Sequence, residues 1–469
     1  MATRRRRSPF YTPRRIPHAV AARTAGLKLA PLVPQLALAG ATTLIADYAI
    51  VPENLRATLR TWASQLGDDI SEHSQRIFFD DPGLDTLLIR GISRTSAIVT
   101  TLIRTWLMTT KTLGTDRDGR AARTLPLLPR RGYDSFMTFM LTTGTAVGLL
   151  RGGHVHTATT YDSTQPDNDD PSAEHVRSDV GRYLTPHTLT DLAHDISDLY
   201  WSDTQGTTIK ITQVGDEMSR RWIMSLPGTD HVDWESTPNP ADTESNIREI
   251  LGLPSAMRTG VLRALHEAMK KAGIPEHEYH KEKVLICGHS QGGMVAVALA
   301  SREPVEMGVN VTGILSLGTP GRRFRIRPDV VMVAVEHDQD VVPSMDGTPA
   351  RAPDHRVVVG RKLVRPRHNP LYYAHSSTTY AQTVRLLERK VDIAPWGKVA
   401  RTVEKLRQFL PQPGEYTRVT IHEIWQEVRE PAHNSRWDTF LRLERSTLTP
   451  VDYEETLVPQ RQGGRHDHT

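Results

Sequence analysis

The chain has 469 residues, enough for about two to three domains of ordinary size or one enlarged domain. Hydrophobic residues make up 38% and charged residues 24%, a composition that is ordinary for a globular protein and too polar for a membrane protein with many spanning helices. The net charge of +4 arises at the N-terminus, because residues 1–46 carry eight basic side chains and no acidic one. The remainder of the chain is slightly acidic, which argues against a basic nucleic-acid-binding body.

The first 46 residues suggest an association with a membrane. Residues 1–28 are predicted to form a disordered basic arm, and the uncharged run Leu29–Ala46 follows it. This run is short for a spanning helix, and Pro31 and Pro34 interrupt it. Three interpretations stay open: a helix that docks on a membrane surface, a buried core helix, and a cleaved signal peptide or true span. In the first of these, residues 1–46 contact an anionic membrane surface.

The cysteine content indicates the redox state of the cellular compartment. Cys287 is the single cysteine, so an intrachain disulfide and a Cys-rich zinc or iron–sulfur site are excluded. A lone thiol favours a reducing environment. We therefore expect a cytoplasmic protein, associated with the inner face of the membrane if its N-terminal segment docks there.

Residues 29–160 are predicted to form a mainly helical region that includes the membrane-docking candidate. One helical stripe is apolar, at Leu55, Leu59, Trp62 and Leu66. Two further apolar stretches follow, at residues 97–108 and 136–150, and Arg104 within the first of them favours helices packed on each other over membrane spans.

Polar segments mark the borders of the next region. Tyr161–Ser178 is acidic and contains proline, so residues 161–204 are interpreted as a linker followed by a first helix. Toward the C-terminus, residues 391–458 are an extension, and residues 459–469 are predicted to be a disordered tail.

Between residues 205 and 390, short β-branched or apolar runs alternate with helical stretches. The predicted strands are Thr207–Val214, Arg221–Leu226, Val284–Cys287, Val311–Leu317 and Val330–Val335. An apolar stripe at helical spacing, ended by Gly273 and Pro275, consists of Met257, Val261, Leu265, Ala268 and Ala272. This alternation predicts an α/β fold with a mostly parallel sheet and helices on both faces, in which functional groups lie at the carboxyl ends of strands.

A G-x-S-x-G motif stands where a nucleophile is expected. Gly288-His289-Ser290-Gln291-Gly292 directly follows the strand VLIC and precedes the apolar segment MVAVALA. In a strand–turn–helix context this pattern exposes the serine hydroxyl at a helix N-terminus, and Gly288 and Gly292 leave room for the sharp turn. The alternative is a glycine-rich turn with a capping serine. We expect Ser290 to be the nucleophile.

A serine nucleophile needs a base and an orienting carboxylate. The loop after the strand VVMVAV offers Glu336, Asp338 and Asp340 as acids, and the residues alone leave the choice among them open. For the base, His375 is favoured because it comes just ahead of a predicted helix that Ser376 or Ser377 can cap, while His368 is the rival. His289, next to the serine, is expected to shape the pocket.

The reaction also needs donors for an oxyanion. One donor is expected from the backbone N–H of Gln291, the residue after the nucleophile. The other is expected from the loop Pro227-Gly228-Thr229-Asp230, which ends the strand RWIMSL. The segment Trp234–Asn246 lies between that strand and the serine, and it is either a border of the pocket or a surface loop.

These motifs together resemble the α/β-hydrolase superfamily. Residues 205–390 are most similar to class 3 lipases and to actinobacterial-type hydrolases that carry P-G-T, G-H-S-Q-G and E-H-x-x-D-x-V-P signatures. The resemblance implies an α/β-hydrolase catalytic domain, Asp340 as the triad acid and Thr229 as the second oxyanion donor. It also implies acyl transfer through a serine ester without a metal or organic cofactor.

The expected function is therefore a serine esterase or lipase that cleaves a carboxylic ester, with a lipid ester among the substrates that fit. A thioesterase or acyltransferase on the same triad and a non-catalytic membrane-associated scaffold are the alternatives. No metal site is predicted, although His154-x-His156 and His466-x-His468 have ligand-like spacing. No nucleic-acid partner is predicted either, because the basic arm lacks interleaved aromatic residues.

Overall fold

The computed structural model describes Leu27 and residues 72–109, 132–146, 148–164, 184–202, 204–230, 235–347 and 356–429. Apart from Leu27, the basic arm and the run Leu29–Ala46 lie outside these residues. So do the predicted stripe from Leu55 to Leu66, most of the linker 161–178, and the tail 459–469.

An eight-stranded mixed sheet forms the framework, with strand order β1-β8-β2-β3-β4-β5-β6-β7. Its strands are β1 (Gly152–Asp162), β2 (Thr207–Val214), β3 (Arg221–Leu226), β4 (Lys283–His289), β5 (Asn310–Leu317), β6 (Val331–His337), β7 (Val357–Arg361) and β8 (Thr417–Val428). Strands β3 to β7 pair in parallel, while β1, β8 and β2 join the sheet through antiparallel pairs. The predicted α/β fold with a mostly parallel sheet is confirmed.

Helices connect and cover the strands. They are α1 (Leu84–Thr109), α2 (Gly132–Ala146), α3 (Leu189–Leu199), α4 (Thr243–Leu251), α5 (Ala256–Lys271), α6 (Gln291–Ala300), α7 (Pro304–Met307), α8 (Pro370–His375), α9 (Ser377–Ile393) and α10 (Gly397–Arg407), with a further helical segment at residues 72–80. Helix α5 begins at the N-cap Ser255, whose hydroxyl accepts the Arg258 N–H, and it contains the predicted stripe up to Ala268, while Ala272 is its C-cap.

The central strands are apolar on both sides, which is why two cores form. Residues Val284 and Ile286 of β4 face one core with α5 and α6, whereas Leu285 and Cys287 face a second core with α3, α9 and α10. This alternation is the period-two pattern of a strand, and burial on both faces explains the continuous hydrophobic runs in the sequence.

The N-terminal helices pack beside the parallel part of the sheet. Side chains of α1 and α2, among them Ile89 and Tyr133, form a cluster with Ile250 of α4 and Met294 of α6. A neighbouring cluster joins Leu141 of α2 to Ile247 of α4. Helices α1 and α2 therefore contact the helix that follows Ser290.

Two strands correct the sequence analysis. Most of strand β1 lies in residues 29–160, which were expected to be mainly helical. Its last two residues fall at the start of the predicted linker. Strand β8 lies within the C-terminal extension 391–458. The two strands pair with each other, and β8 also pairs with β2. The sheet thus extends beyond the range 205–390 on both sides, through pairing between segments that are distant in the sequence.

Among the described residues, no helix has both the length and the apolar character needed to cross a membrane.

Candidate active site

Ser290 lies at the turn between β4 and α6. Its backbone has φ 51° and ψ −116°, a left-handed conformation that a non-glycine residue adopts only when the surrounding structure enforces it. Its N–H donates to the carbonyl of Leu317 at the end of β5, at 2.9 Å. The Ser290 side chain makes no capping hydrogen bond to α6, so the alternative of a simple capping serine does not describe this residue.

Glycines allow the turn to close. A Cβ at Gly288 would lie 2.5 Å from the carbonyl carbon of Gly292, and one at Gly292 would lie 2.4 Å from the carbonyl oxygen of Leu226. On the loop after β3, a Cβ at Gly228 would lie 2.6 Å from the Cβ of Ser290. The P-G-T loop therefore runs directly against the serine, as close as a backbone without a side chain permits.

Asp340 and His375 form a pair at the same edge of the sheet. Asp340 lies beyond the carboxyl end of β6, and His375 is the last residue of α8, just before α9 with its N-cap Ser376. His375 Nδ1 lies 2.8 Å from Asp340 Oδ2, and the Asp340 side chain is fully buried while that of His375 is 24% exposed.

The hydrogen bonds around Asp340 fix its charge. Tyr380 Oη–H donates to Oδ2 at 2.6 Å, and the Val342 N–H donates to Oδ1 at 2.9 Å. Burial alone would raise the pKa of Asp340, but the charge of His375 and these hydrogen bonds outweigh burial and lower the pKa. An ionised carboxylate can only accept, so His375 Nδ1 carries a proton, and in the neutral ring the lone pair is then on Nε2.

The rival residues have other environments. Glu336 accepts from the guanidinium of Arg322, with Nε and Oε1 3.1 Å apart, and the Asp338 N–H donates to the Arg361 carbonyl. His368 is 82% exposed, and its Nδ1 lies 4.0 Å from Glu72 Oε1 at the surface. The structure thus brings Asp340 and His375 together and leaves Glu336 and His368 outside that pair.

The residues after Gly228 and Ser290, which are Thr229 and Gln291, have backbone N–H groups that are candidate donors. Within the described part of the chain, neither the Thr229 N–H nor the Gln291 N–H makes a backbone hydrogen bond of the kind found in turns, loops and helix caps. Gln291 is the first residue of α6, where an N–H has no partner within the helix. These are the two residues that the sequence analysis and the family resemblance named as oxyanion donors.

Asn246 of α4 sets the direction of the Thr229 hydroxyl. Gln291 Nε2 donates both to the carbonyl of Asp242 and to Asn246 Oδ1, each at 2.9 Å. This orientation leaves Asn246 Nδ2 to donate to Thr229 Oγ1, at 2.8 Å. Because the Thr229 oxygen accepts from Asn246, its own proton remains available to a ligand beside Ser290.

Sequence reasoning missed three side chains. Neither Tyr380 nor Tyr200 was singled out, and Asn246 was considered only as one end of a segment that could border the pocket. Tyr200 Oη lies 2.8 Å from His289 Nδ1, and His289 Nε2 lies 2.7 Å from the carbonyl of His375. A tyrosine in the turn after a helix carries no local signal for this contact.

Ser290 is 9% exposed, and its Oγ makes no hydrogen bond to a described side chain. In free enzymes the contact between nucleophile and base is often long, and it tightens when the substrate binds.

The described residues contain no group of three or more His, Cys, Asp or Glu side chains arranged to hold a metal ion. His156 on β1 instead stacks on Trp425, and its Nε2 lies 2.9 Å from Glu427 Oε1. The other ligand-like pair, His466 and His468, lies outside the described residues.

Comparisons with protein-family models, with curated proteins and with solved structures gave no match to this chain.

Proposed function

We propose that this protein is a serine hydrolase that cleaves a carboxylic ester through an acyl-enzyme. One observation carries the proposal: the buried Asp340 carboxylate lies 2.8 Å from His375 Nδ1, at the same sheet edge as a serine in a strained turn. Buried, oriented groups of this kind are costly to maintain and cluster at active sites.

Each residue has a step in the reaction. Ser290 Oγ attacks the ester carbonyl as its proton passes to His375 Nε2, and Asp340 stabilises the imidazolium that forms. The N–H groups of Thr229 and Gln291 and the Thr229 hydroxyl receive the negative charge on the carbonyl oxygen. His375 then donates the proton to the leaving alkoxide. Water next attacks the acyl-enzyme while its proton passes to His375, and His375 returns that proton to Ser290 Oγ as the carboxylic acid is released.

The order of these residues also supports membership of the α/β-hydrolase superfamily, with class 3 lipases as the group that the motifs resemble. Thr229, Ser290 and Asp340 follow the parallel strands β3, β4 and β6, and His375 comes after β7, at the end of α8. A thioester or an acyl acceptor other than water suits the same residues, so thioesterase and acyltransferase activities are the alternatives within this proposal.

Labelling with a fluorophosphonate probe tests the proposal. We expect the wild-type protein to be labelled and Ser290→Ala to remain unlabelled. His375→Ala should lower the turnover of p-nitrophenyl esters by about 10⁴, because the serine then lacks its base. His368→Ala is the matched control, since this exposed histidine should be replaceable without effect.

A folded wild-type protein that is neither labelled nor active on short-chain and long-chain esters would favour the scaffold interpretation. Turnover of thioesters but not of oxygen esters would move the assignment to a thioesterase. Loss of activity in His368→Ala with retention in His375→Ala would overturn the triad assignment.

A further inference from the structure

A second histidine lies in the candidate site without a part in the proposed reaction. His289 directly precedes Ser290, is 4% exposed, and has its ring centroid 4.7 Å from that of His375. Both of its ring nitrogens already have partners: Nδ1 faces Tyr200 Oη and Nε2 faces the His375 carbonyl. It therefore cannot serve as an alternative base.

The chemistry of these partners determines where every proton lies. A carbonyl oxygen only accepts, so His289 carries its proton on Nε2 and donates it to His375. Its Nδ1 then carries a lone pair and accepts the hydroxyl proton of Tyr200. The tyrosine oxygen in turn accepts the Gly228 N–H, with a nitrogen–oxygen distance of 2.6 Å.

The protonation state of His289 agrees with this direction. Burial and the charge of His375 lower the pKa of His289 to about 3, so the ring is neutral at physiological pH. A neutral ring in this setting has a single tautomer, and the chain Gly228 N–H to Tyr200 to His289 to His375 C=O runs in one direction only.

We propose that Tyr200 and His289 are positioning residues that connect the oxyanion loop to the backbone of His375. The inference rests on the proposed hydrolase function. One end of the chain fixes the peptide of Gly228, directly before Thr229. The other end fixes the carbonyl of His375, whose imidazole is held separately by Asp340. Ser290 lies between the two ends, next to His289 in sequence and against Gly228 in space.

The role follows from what the reaction requires. The base and the oxyanion donors must hold their positions to within a few tenths of an ångström while charge moves between them. They belong to loops after β3 and after β7, which are far apart in the chain. A buried chain of neutral hydrogen bonds holds both loops to the turn that carries the nucleophile without adding a charge that would compete with the oxyanion.

Tyr200→Phe tests the inference. The ring remains, but Gly228 loses its acceptor and His289 loses its donor. We expect kcat to fall about tenfold or more, as loss of one buried hydrogen bond implies, while KM changes little. The rate of fluorophosphonate labelling should fall in parallel, because labelling uses the same base and the same donors.

His289→Gln and His289→Leu supply a second measurement that does not depend on Tyr200. An amide N–H of the introduced glutamine can still donate to the His375 carbonyl, whereas leucine cannot. We expect kcat to decrease in the order wild type, His289→Gln, His289→Leu. A purely structural role would not produce this rank order at unchanged KM.

Val309→Ala is the control for lost stability. Val309 is fully buried just before β5, at the opposite end of the sheet from Ser290, so it loses packing without touching the site. If Val309→Ala lowers kcat as much as Tyr200→Phe at equal melting temperature, the loss follows stability and the inference fails.

The outcomes separate the two proposals. Suppose that the wild-type protein is labelled at Ser290 but kcat is unchanged in Tyr200→Phe, or in His289→Leu if the first variant does not fold. This result overturns the proposed positioning role and leaves the hydrolase proposal intact. Absence of labelling in the wild-type protein overturns the hydrolase itself.

Discussion

At the scale of single residues, the candidate site depends on the direction in which hydrogen bonds are donated. The amide of Asn246 accepts from Gln291 and donates to Thr229, so the Thr229 hydroxyl has its proton left over for a ligand. A hydroxyl whose oxygen is already engaged is pre-oriented, and pre-orientation is what makes a donor effective on a developing charge.

A double-mutant cycle tests this role of Asn246. Thr229→Val removes the hydroxyl but keeps the backbone N–H, and it should lower kcat/KM by about 10², at the low end for one lost oxyanion donor. Asn246→Ala should cost about tenfold, because the hydroxyl persists without its orientation. The double variant should be no worse than Thr229→Val alone, since Asn246 acts through the hydroxyl.

Steady-state kinetics on one p-nitrophenyl ester measures all four proteins of the cycle. Losses that multiply in the double variant would show that Asn246 acts by some other route. Asn310→Ala is a suitable control, because this asparagine lies at the start of β5, where its side-chain oxygen accepts from Arg327 and not from a residue of the Thr229 loop.

Some of these residues could be predicted from the sequence, and others could not. Ser290, Asp340 and His375 stand in short motifs next to recognisable strands or helices, so local pattern places them at strand ends. Tyr200, Asn246 and Tyr380 reach the site from helices α3, α4 and α9 or their ends. Only the packing of those helices on the sheet brings them there, and helical spacing alone indicates burial and not contact.

At the scale of elements, the N-terminal helices hold the turn that follows Asp340. The Ser344 hydroxyl donates to Asp85 of α1, and the Tyr133 hydroxyl of α2 donates to the Met345 carbonyl. Arg323 joins the same turn to α2, since its N–H donates to Asp346 Oδ2 at 2.9 Å and its guanidinium pairs with Asp134. The turn begins at Val342, whose N–H donates to Asp340.

Gly347 shows how closely α2 packs on this turn. It has φ +75°, and a Cβ there would lie 2.3 Å from Cδ1 of Tyr133. Gly347→Ala should therefore destabilise the protein by the left-handed strain of about 1 kcal/mol plus the clash with Tyr133, about 2 to 3 kcal/mol in total.

Gly252→Ala is the matched control for this prediction. Gly252 has φ +73° at the end of α4, and nothing lies within 4 Å of its would-be Cβ, so only the backbone strain applies. Urea unfolding of both variants gives the comparison. Equal losses in the free energy of unfolding would mean that Tyr133 does not pack against Gly347 in solution.

Some strands could be predicted from the sequence, and others could not. Strands β2 and β3 have the bounds that their β-branched and apolar runs predicted. Strands β1 and β8 were missed, since each lies outside the stretch of alternating strands and helices and has its partner far along the chain. The alternation of Val419 and Ile421 in β8 was a usable signal.

At the scale of the whole molecule, the sheet buries several ionisable side chains away from the candidate site. Lys210 of β2 pairs with Asp195 of α3 at 2.8 Å, with side-chain exposures of 1% and 3%. Burial raises the pKa of Asp195 to about 7, against the attraction of Lys210. Pattern reasoning places both residues in regular elements but does not show that they are enclosed, because enclosure depends on how α3 docks on β2.

His422 of β8 makes the cost of such burial measurable. It is fully buried, with Nε2 3.0 Å from Thr420 Oγ1, and burial together with Lys271 lowers its pKa to about 4 despite the nearby Asp162. Between the ordinary pKa of 6.5 and 4, the unfolded chain binds a proton that the native protein does not. Stability is therefore lost as the pH falls through this window, by about 1.4 kcal/mol per pH unit from this one side chain.

His422→Gln removes that contribution, so the stability advantage of the wild-type protein over the variant should shrink by about 3 kcal/mol between pH 6.5 and 4. Asp195 and Asp242, whose pKa values burial raises to about 7, titrate alike in both proteins and cancel in the difference. Urea unfolding at a series of pH values gives the measurement. A difference between wild type and His422→Gln that does not change with pH would mean that His422 is solvated in the native protein.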